Sequence, residues 1–340
     1  MQQFEHGGDI ISFARKINST VDQVIDLSSN INFLKPSVHL DFTKVKIDSY
    51  PKYDNLSEIL SKKFNIFKEN IELYNGASSA IFSILNHLPN QNCIIYSPAY
   101  LEYKKAATLY HKDISLINRL SNLDQEVPKD SIVIFVNPST PDGQFYDIET
   151  FLEYWKEQNC KVIIDESFLE FSNQPSAIKY INRYTNIYII KSLTKFYSCA
   201  GVRVGLIISS KINISLLNRK EPLWKISAFD SIFIEQVLKD DKFVEISRAI
   251  NANAKTYLEN ILNGSYIFEN FIYSYGNFIL VKLKYFDAVT FQKKLIKYKI
   301  MIRDCSNFDF LNKSYVRIAV KSIKDLKKFE KAIKSIEESI

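Results

Sequence analysis

The sequence predicts an α/β protein built on a mostly parallel central sheet flanked by helices, with a smaller α+β unit toward the C-terminus. Three observations carry that expectation. First, short runs rich in Ile and Val recur in the middle of the chain: "NCIIYSP" (92–98), "SIVIFVNP" (131–138), "KVIIDESF" (161–168), "NIYIIKS" (186–192) and "VGLIIS" (204–209). Each is apolar throughout rather than alternating, as strands buried on both faces of a parallel sheet are. Second, stretches with helical spacing separate these runs, among them 78–88 and 147–158, the latter opened by Asp147 as its expected N-cap. Alternating strand and helix is the doubly wound pattern. Third, the pattern changes after Pro222 to a long helical region over about 228–262, strand-like stretches within 266–283 and 315–320, and a Lys/Glu-rich amphipathic helix at 322–338. The expected organisation is an N-terminal arm (1–44) that contributes to the small unit and the site, a large domain (45–235) and a C-terminal domain (236–340).

Composition narrows the function classes. The chain has 340 residues, of which 46% are apolar and 24% charged, ordinary values for a protein with a packed core. Its net charge of +6 is scattered, with no block of five or six like charges, which argues against a nucleic-acid partner and suits small anionic substrates. Cys93, Cys160, Cys199 and Cys305 form no C-x-x-C pair and are expected as free thiols of a reducing compartment. His6, His39, His87 and His111 show no ligand spacing, so no metal is expected. The N-terminus lacks a basic region followed by an apolar one, and no apolar run approaches a membrane span. A cytoplasmic location with no membrane partner is expected.

Ligands of an open parallel sheet bind beyond the carboxyl ends of its strands. The residues placed there are Asn137, Asp165, Ser192, Thr194 and Lys195, and upstream Gly76-Ala77-Ser78 opens a helix. Each has an ordinary structural reading. The Gly-Ala-Ser turn is a capping turn or an anion cradle. Asp165 is an N-cap, half of a salt bridge, or the partner of a bound cation. Lys195 is a structural lysine or, if desolvated, a nucleophilic one. Together they meet the needs of pyridoxal phosphate: a helix N-terminus and hydroxyls for the phosphate, a carboxylate for the pyridinium nitrogen, and a lysine for the aldehyde.

The order of these parts resembles fold-type-I pyridoxal-phosphate enzymes of the class I/II aminotransferase superfamily. The branch it most resembles is that of threonine-phosphate decarboxylases, kin to histidinol-phosphate aminotransferases. The segments are "HGGDI" (6–10), "DLSSNINFLKP" (26–36), "YPKYDN" (50–55), "NGASSAIF" (75–82), "NPSTPDG" (137–143), "DESFLEF" (165–171), "SLTKFYSCAGVRVG" (192–205) and "IRDCSNF…YVRIAV" (302–320). The resemblance implies pyridoxal 5'-phosphate as cofactor and a homodimer with shared sites. It makes Lys195 the residue that binds the aldehyde and moves protons at the substrate Cα, and Asp165 the partner of the ring nitrogen. Tyr100 would stack on the ring and counts with these two as catalytic. Gly76, Ala77, Ser78, Ser192, Thr194 and Arg203 would hold the cofactor phosphate, joined across the dimer by Tyr50. Arg317 would bind the substrate α-carboxylate. Arg303, with His6 and Asn30 or Asn32, would meet its phosphate.

Two positions depart from the family pattern. The turn usually reads Asn-Pro-x-Asn-Pro, and its second Asn, a donor to the ring O3', is Thr140 here, following Asn137. A Tyr often found after the strand-end Asp is Phe168. The reaction implied is decarboxylation of O-phospho-threonine or O-phospho-serine to an amino-alcohol phosphate and CO2. The alternatives are transamination of a phosphorylated amine such as histidinol phosphate, and a silent protein that keeps the fold.

Overall fold

The computed structural model describes residues 7–340. Near the N-terminus, α1 (Ile10–Lys16) packs Phe13 and Ala14 against Val24 and Met301, and β1 (Ile25–Asp26) follows. The five apolar runs form the interior of a seven-stranded sheet. Its strands are β2 (Ile71–Tyr74), β3 (Asn92–Ser97), β4 (Asp113–Asn118), β5 (Ile132–Val136), β6 (Lys161–Asp165), β7 (Ile187–Ser192) and β8 (Gly205–Ser209), in the spatial order β2-β8-β7-β6-β5-β3-β4. Only β8 runs against its neighbours. The two strands that the apolar-run pattern does not predict, β2 and β4, are the sheet's edges. Edge strands have one paired side and a partly solvated face, so β4 alternates exposed and covered residues instead of running apolar throughout.

Helices cover both faces. Helices α3 (Gly76–His87), α4 (Glu102–Leu109) and α6 (Lys211–Asn218) bury one side with Ile134, Ile163 and Ile190. Helices α2 (Asp54–Phe64), α5 (Glu149–Glu157) and α7 (Ala228–Val237) bury the other with Phe135, Ile164 and Ile189. Burying each such side chain contributes about 1.5–3 kcal/mol, so a polar group in these strands stays only where it is paired or faces a cavity. Asp147 misses the N-cap expected of it: α5 opens at Glu149 after Ile148, and Asp147 instead accepts from the Glu149 N–H at 3.2 Å.

The long helical region expected over about 228–262 is made of α7 and a second helix that Asp240 starts. Its carboxylate accepts from the Phe243 N–H at 3.0 Å and caps α8 (Asp241–Asn263). Beyond α8, β9 (Phe268–Ile272), β10 (Phe278–Leu283), β12 (Arg303–Asp304) and β13 (Tyr315–Ala319) form an antiparallel sheet in the order β12-β13-β10-β9. Strand β11 (Ile300–Met301) pairs instead with β1, in parallel. This sheet, α8, α9 (Ala288–Leu295) and α10 (Ile323–Glu337) share a second core, which Ile25 and Leu27 enter from the N-terminal side. The strap that follows, residues 28–32, therefore runs from the second core toward the carboxyl edge of the large sheet. None of the described helices is long and apolar enough to cross a membrane.

Candidate active site

Three structural elements end at one cavity of about 410 Å3: the carboxyl edge of β5 to β7, the N-terminus of α3, and the strands β12 and β13. The period-two alternation of a strand decides which polar groups reach it. Asp165 and Ser192 share the α3/α4 face and line the cavity. Their neighbours Glu166 and Lys191 turn to the opposite face and pair there at 2.7 Å.

The anion-binding end is built by backbone contact. Gly76 opens α3 at φ +78°, and a Cβ on it would stand 2.3 Å from Arg203 Nη2. A Cβ on Gly205 would stand 2.3 Å from the Ala77 nitrogen. Only glycine at both positions lets the first turn of α3 press against the start of β8. Ala77, Ser78, Ser192, Thr194 and Arg203 then line one end of the cavity, with the Ser192 and Thr194 hydroxyls 2.9 Å apart. A helix N-terminus with hydroxyls and a guanidinium is suited to a phosphate.

In the middle, Asp165 accepts from the Ser167 N–H at 2.8 Å and from the Tyr103 hydroxyl at 2.9 Å. Tyr100 stands beside it on the wall, its hydroxyl 3.5 Å from Ser78 Oγ. Lys195 enters from the loop after β7, its Nζ 5.0 Å from the centroid of the Phe168 ring. Among the described residues Nζ has no ion-pair or hydrogen-bond partner. Burial pushes its pKa below the ordinary lysine value; Asp165 opposes that shift, while Arg203 and Arg317 add to it. A lysine whose amine gives up its proton more readily than an ordinary one lines the same cavity as Asp165, and such an amine suits attack on a carbonyl carbon.

The far end carries two arginines. Arg303 and Arg317 are directly opposed across the β12–β13 ladder. Arg317 Nη1 donates to Thr140 Oγ1 at 2.7 Å and Nη2 to the Ser28 carbonyl at 2.8 Å. Its buried Nε has no partner among the described residues, a donor left for something else to meet. Arg303 donates to Asn307 Oδ1 at 2.9 Å and lies over the Phe308 ring. Burial lowers the pKa of both guanidinium groups, that of Arg317 to about 10. Asp304 acts on Arg303 and Asp26 on Arg317, and both guanidinium groups also line the cavity, where they suit an anion.

The structure thus brings Ala77, Ser78, Tyr100, Thr140, Asp165, Ser192, Thr194, Lys195, Arg203, Asn30, Arg303 and Arg317 to one cavity. Other expected residues lie elsewhere. Gly76 shapes the wall from behind. Asn137 clamps its own turn, exchanging bonds of 2.8 and 2.9 Å with the Tyr146 backbone. Asn32 does not line the cavity: its amide is spent on Phe196, Ser247 and Asn251. Thr140, expected at the ring O3', accepts from Arg317, which leaves only its hydroxyl proton to give. Tyr50 is 70% exposed and stacks on Trp224, away from this chain's cavity. His6 lies outside the described residues. Tyr103, in the first turn of α4 and fully buried on Asp165, is a site residue that the sequence reading does not include; no local pattern marks it.

An aldehyde-bearing pyridine phosphate fits this donor set: the helix N-terminus, an aligned carboxylate and an unpaired lysine lie in that order along one cavity. Comparison with known proteins points the same way. The family model for aminotransferase class I and II matches residues 22–336. The adenosylcobalamin biosynthesis bifunctional protein CobDQ of Leptospira interrogans is 30% identical over 98% of this chain, which spans 41% of that protein's length. A threonine-phosphate decarboxylase of Salmonella typhimurium is 23% identical, over 97% of this chain and 96% of that protein. The crystal structure of the histidinol-phosphate aminotransferase from Clostridium acetobutylicum superposes with a TM-score of 0.81 at 28% identity, covering 92% of this chain and 99% of that one. The chain belongs to the aminotransferase class I and II family of pyridoxal-phosphate-dependent enzymes and has their fold-type-I architecture.

Proposed function

We propose that the protein is a pyridoxal-phosphate-dependent lyase that decarboxylates an O-phosphorylated β-hydroxy amino acid, O-phospho-L-threonine or O-phospho-L-serine. The products are the amino-alcohol phosphate and CO2. The observation that carries this reading is the opposed pair Arg303 and Arg317 facing Lys195 in one cavity. The pair suits a substrate with two anions, and the lysine places the chemistry beside them.

In this reading Ala77, Ser78, Ser192, Thr194 and Arg203 hold the cofactor phosphate, Asp165 holds the ring nitrogen, and Tyr100 covers the ring. When bound, the cofactor supplies an electron sink for a bond at the substrate Cα. Arg317 takes the α-carboxylate through its free Nε edge, and Arg303 and Asn30 take the substrate phosphate. Holding both anions would fix how the bonds at Cα are presented to the cofactor, which is the protein's means of selecting the reaction. As the Cα–carboxylate bond breaks and CO2 leaves, Lys195 Nζ delivers the proton that replaces it on Cα. Tyr50, stacked on Trp224 at 3.9 Å beside the exposed Leu223, belongs to the face on which a second copy would sit and complete the phosphate site.

Transamination of a phosphorylated amine is the second reading, favoured by the 28% identity to a histidinol-phosphate aminotransferase. One paired assay separates the two. The protein loaded with pyridoxal 5'-phosphate is given O-phospho-L-threonine and O-phospho-L-serine, and CO2 release is followed. It is separately given histidinol phosphate with 2-oxoglutarate, and amino transfer is followed. CO2 release without 2-oxoglutarate is expected. Transfer to 2-oxoglutarate with no CO2 would replace the first reading by the second.

A further inference from the structure

Resting on that reading, we infer that Asn32 is a positioning residue for Lys195, pinning the lysine loop to the strap that anchors Arg317. The strap, residues 28–32, is held by its carbonyls. Those of Ser28, Asn30 and Ile31 accept from Arg317 at 2.8 Å, Asn277 at 3.0 Å and Lys321 at 3.2 Å. All three donors belong to the small sheet or its flanks. The fourth carbonyl, of Asn32, accepts from Ser198 Oγ at 2.7 Å, and Ser198 belongs to the lysine loop. The strap therefore ties the sheet that carries the arginines to the loop that carries the lysine, and Asn32 is the tie point.

Asn32 returns the contact with every group it has. Its N–H donates to the Lys195 carbonyl at 3.0 Å. Its amide nitrogen donates to the Phe196 carbonyl at 2.8 Å and to Ser247 Oγ on α8 at 2.6 Å. Its Oδ1 accepts from Asn251 at 3.0 Å and from the Leu34 N–H at 3.2 Å. The side chain is 2% exposed and has no hydrogen-bonding capacity left for a ligand. Only a short side chain with two donors and one acceptor reaches both the loop and α8: aspartate lacks the donors, and glutamine carries them one carbon too far. Among the described residues, Asn32 supplies the bonds to the carbonyls of Lys195 and Phe196 that come from outside the loop. Because Lys195 Nζ has no partner of its own there, its place is set by the backbone that Asn32 holds.

The test uses Asn32→Ala and Ser198→Ala in the full chain, with three readouts. Deuterium uptake of the peptide covering 193–199 is measured without cofactor. The pH midpoint for incorporation of added pyridoxal 5'-phosphate is read from a borohydride-fixable visible band. KM and kcat are measured on whichever phosphorylated amino acid the wild type turns over. In Asn32→Ala the backbone bond to the Lys195 carbonyl survives but the side-chain bond to the Phe196 carbonyl and the anchorage of the strap to α8 are lost, and the uptake runs about tenfold faster. The midpoint moves to higher pH, because a loosened lysine is better hydrated while Asp165, Arg203 and Arg317 still face it. Misplacement lowers kcat by about a hundredfold with KM little changed. If KM alone rises and the loop exchanges as in the wild type, Asn32 is a substrate contact and the inference is overturned. A lowered Tm with unmoved midpoint and exchange makes it merely structural and also overturns it. Should Asn32→Ala not fold, Ser198→Ala, half-buried and missing one bond, must shift exchange and midpoint the same way by less; unchanged values there overturn the clamp. A wild type that forms no band sinks the functional reading instead, and the exchange readout on unloaded protein still judges the clamp.

Discussion

Lys191 lies near the end of β7 and Lys195 four residues on, in the loop after it, while Asp165 ends β6 and Glu166 follows it directly. Yet the two faces of the sheet treat these pairs oppositely. On the α5/α7 side Lys191 and Glu166 pair at 2.7 Å, each about 3% exposed. Glu166 there also accepts from Ser176 at 2.6 Å and from the Ala177 N–H at 2.5 Å. That carboxylate is fully satisfied, as a buried charge must be. On the α3/α4 side Asp165 is held by Tyr103 and Ser167, and Lys195 stands across a cavity from it with no ion-pair partner among the described residues. The same residue types make a rivet on one face and a reactive site on the other. What differs is the space left between them, and that space is kept by Gly76, Gly205 and the strap.

The largest expected effect falls on the open face. Lys195→Ala removes the amine that binds the aldehyde and moves the proton at Cα. The borohydride-fixable band should vanish and turnover should fall by about 10²–10⁴-fold or more, with the unfolding midpoint close to that of the wild type. A variant that still carries the band would place the reactive amine elsewhere and dissolve the contrast. Next comes the closed face. Glu166→Ala leaves Lys191 buried and unpaired, which costs about 3–5 kcal/mol in urea unfolding, while the double variant Glu166→Leu with Lys191→Met recovers most of it. Both keep the visible band where they fold. Loss of the band in the recovered double variant would show that the rivet serves the chemistry after all.

This contrast was legible in the sequence to the extent that burial leaves a pattern. The interior strands announce themselves because both faces are covered. The polar residues after them, Asp165, Ser192, Thr194 and Lys195, stand out against apolar runs and do meet at one cavity. The edge strands did not announce themselves: β4 alternates like a loop or a helix fragment, and β2 is only four residues long and carries Glu72. Asp240 is a readable N-cap inside the long helical region. Roles set by long-range hydrogen bonds were beyond reach. Nothing near Asn32 in the sequence says that its amide meets Phe196, Ser247 and Asn251, and nothing near Thr140 says that it receives Arg317.

A smaller effect sharpens the open face. Tyr103→Phe removes one hydrogen bond to a buried carboxylate, worth about 1.5–3 kcal/mol when the acceptor is charged. The loss is expected in cofactor affinity, read as a weaker dissociation constant for pyridoxal 5'-phosphate by at least about tenfold, with the lysine still labelled by borohydride. Unchanged affinity would mean that Ser167 alone orients Asp165.

The smallest effect tests whether the cavity alone sets the lysine's proton affinity. Burial is the main cause lowering it; Asp165 opposes, and Arg203 and then Arg317 contribute in the same direction as burial. An amine depleted of protons by a neighbouring cation keeps its proton to higher pH once that cation is gone. Arg317→Met should therefore move the titration of Lys195 upward, and Asp165→Asn should move it downward, because a neutral amide no longer stabilises the ammonium. Trace acylation of the unloaded protein at a series of pH values, read by mass spectrometry, follows Lys195 separately from the exposed lysines and needs neither cofactor nor substrate. In the wild type Lys195 should acylate at lower pH than the exposed lysines do, while Lys191, locked to Glu166, should stay unlabelled until the protein unfolds. If Lys195 titrates with the exposed lysines, or if both substitutions move it the same way, the charges around the cavity do not govern it and the two faces differ only in access.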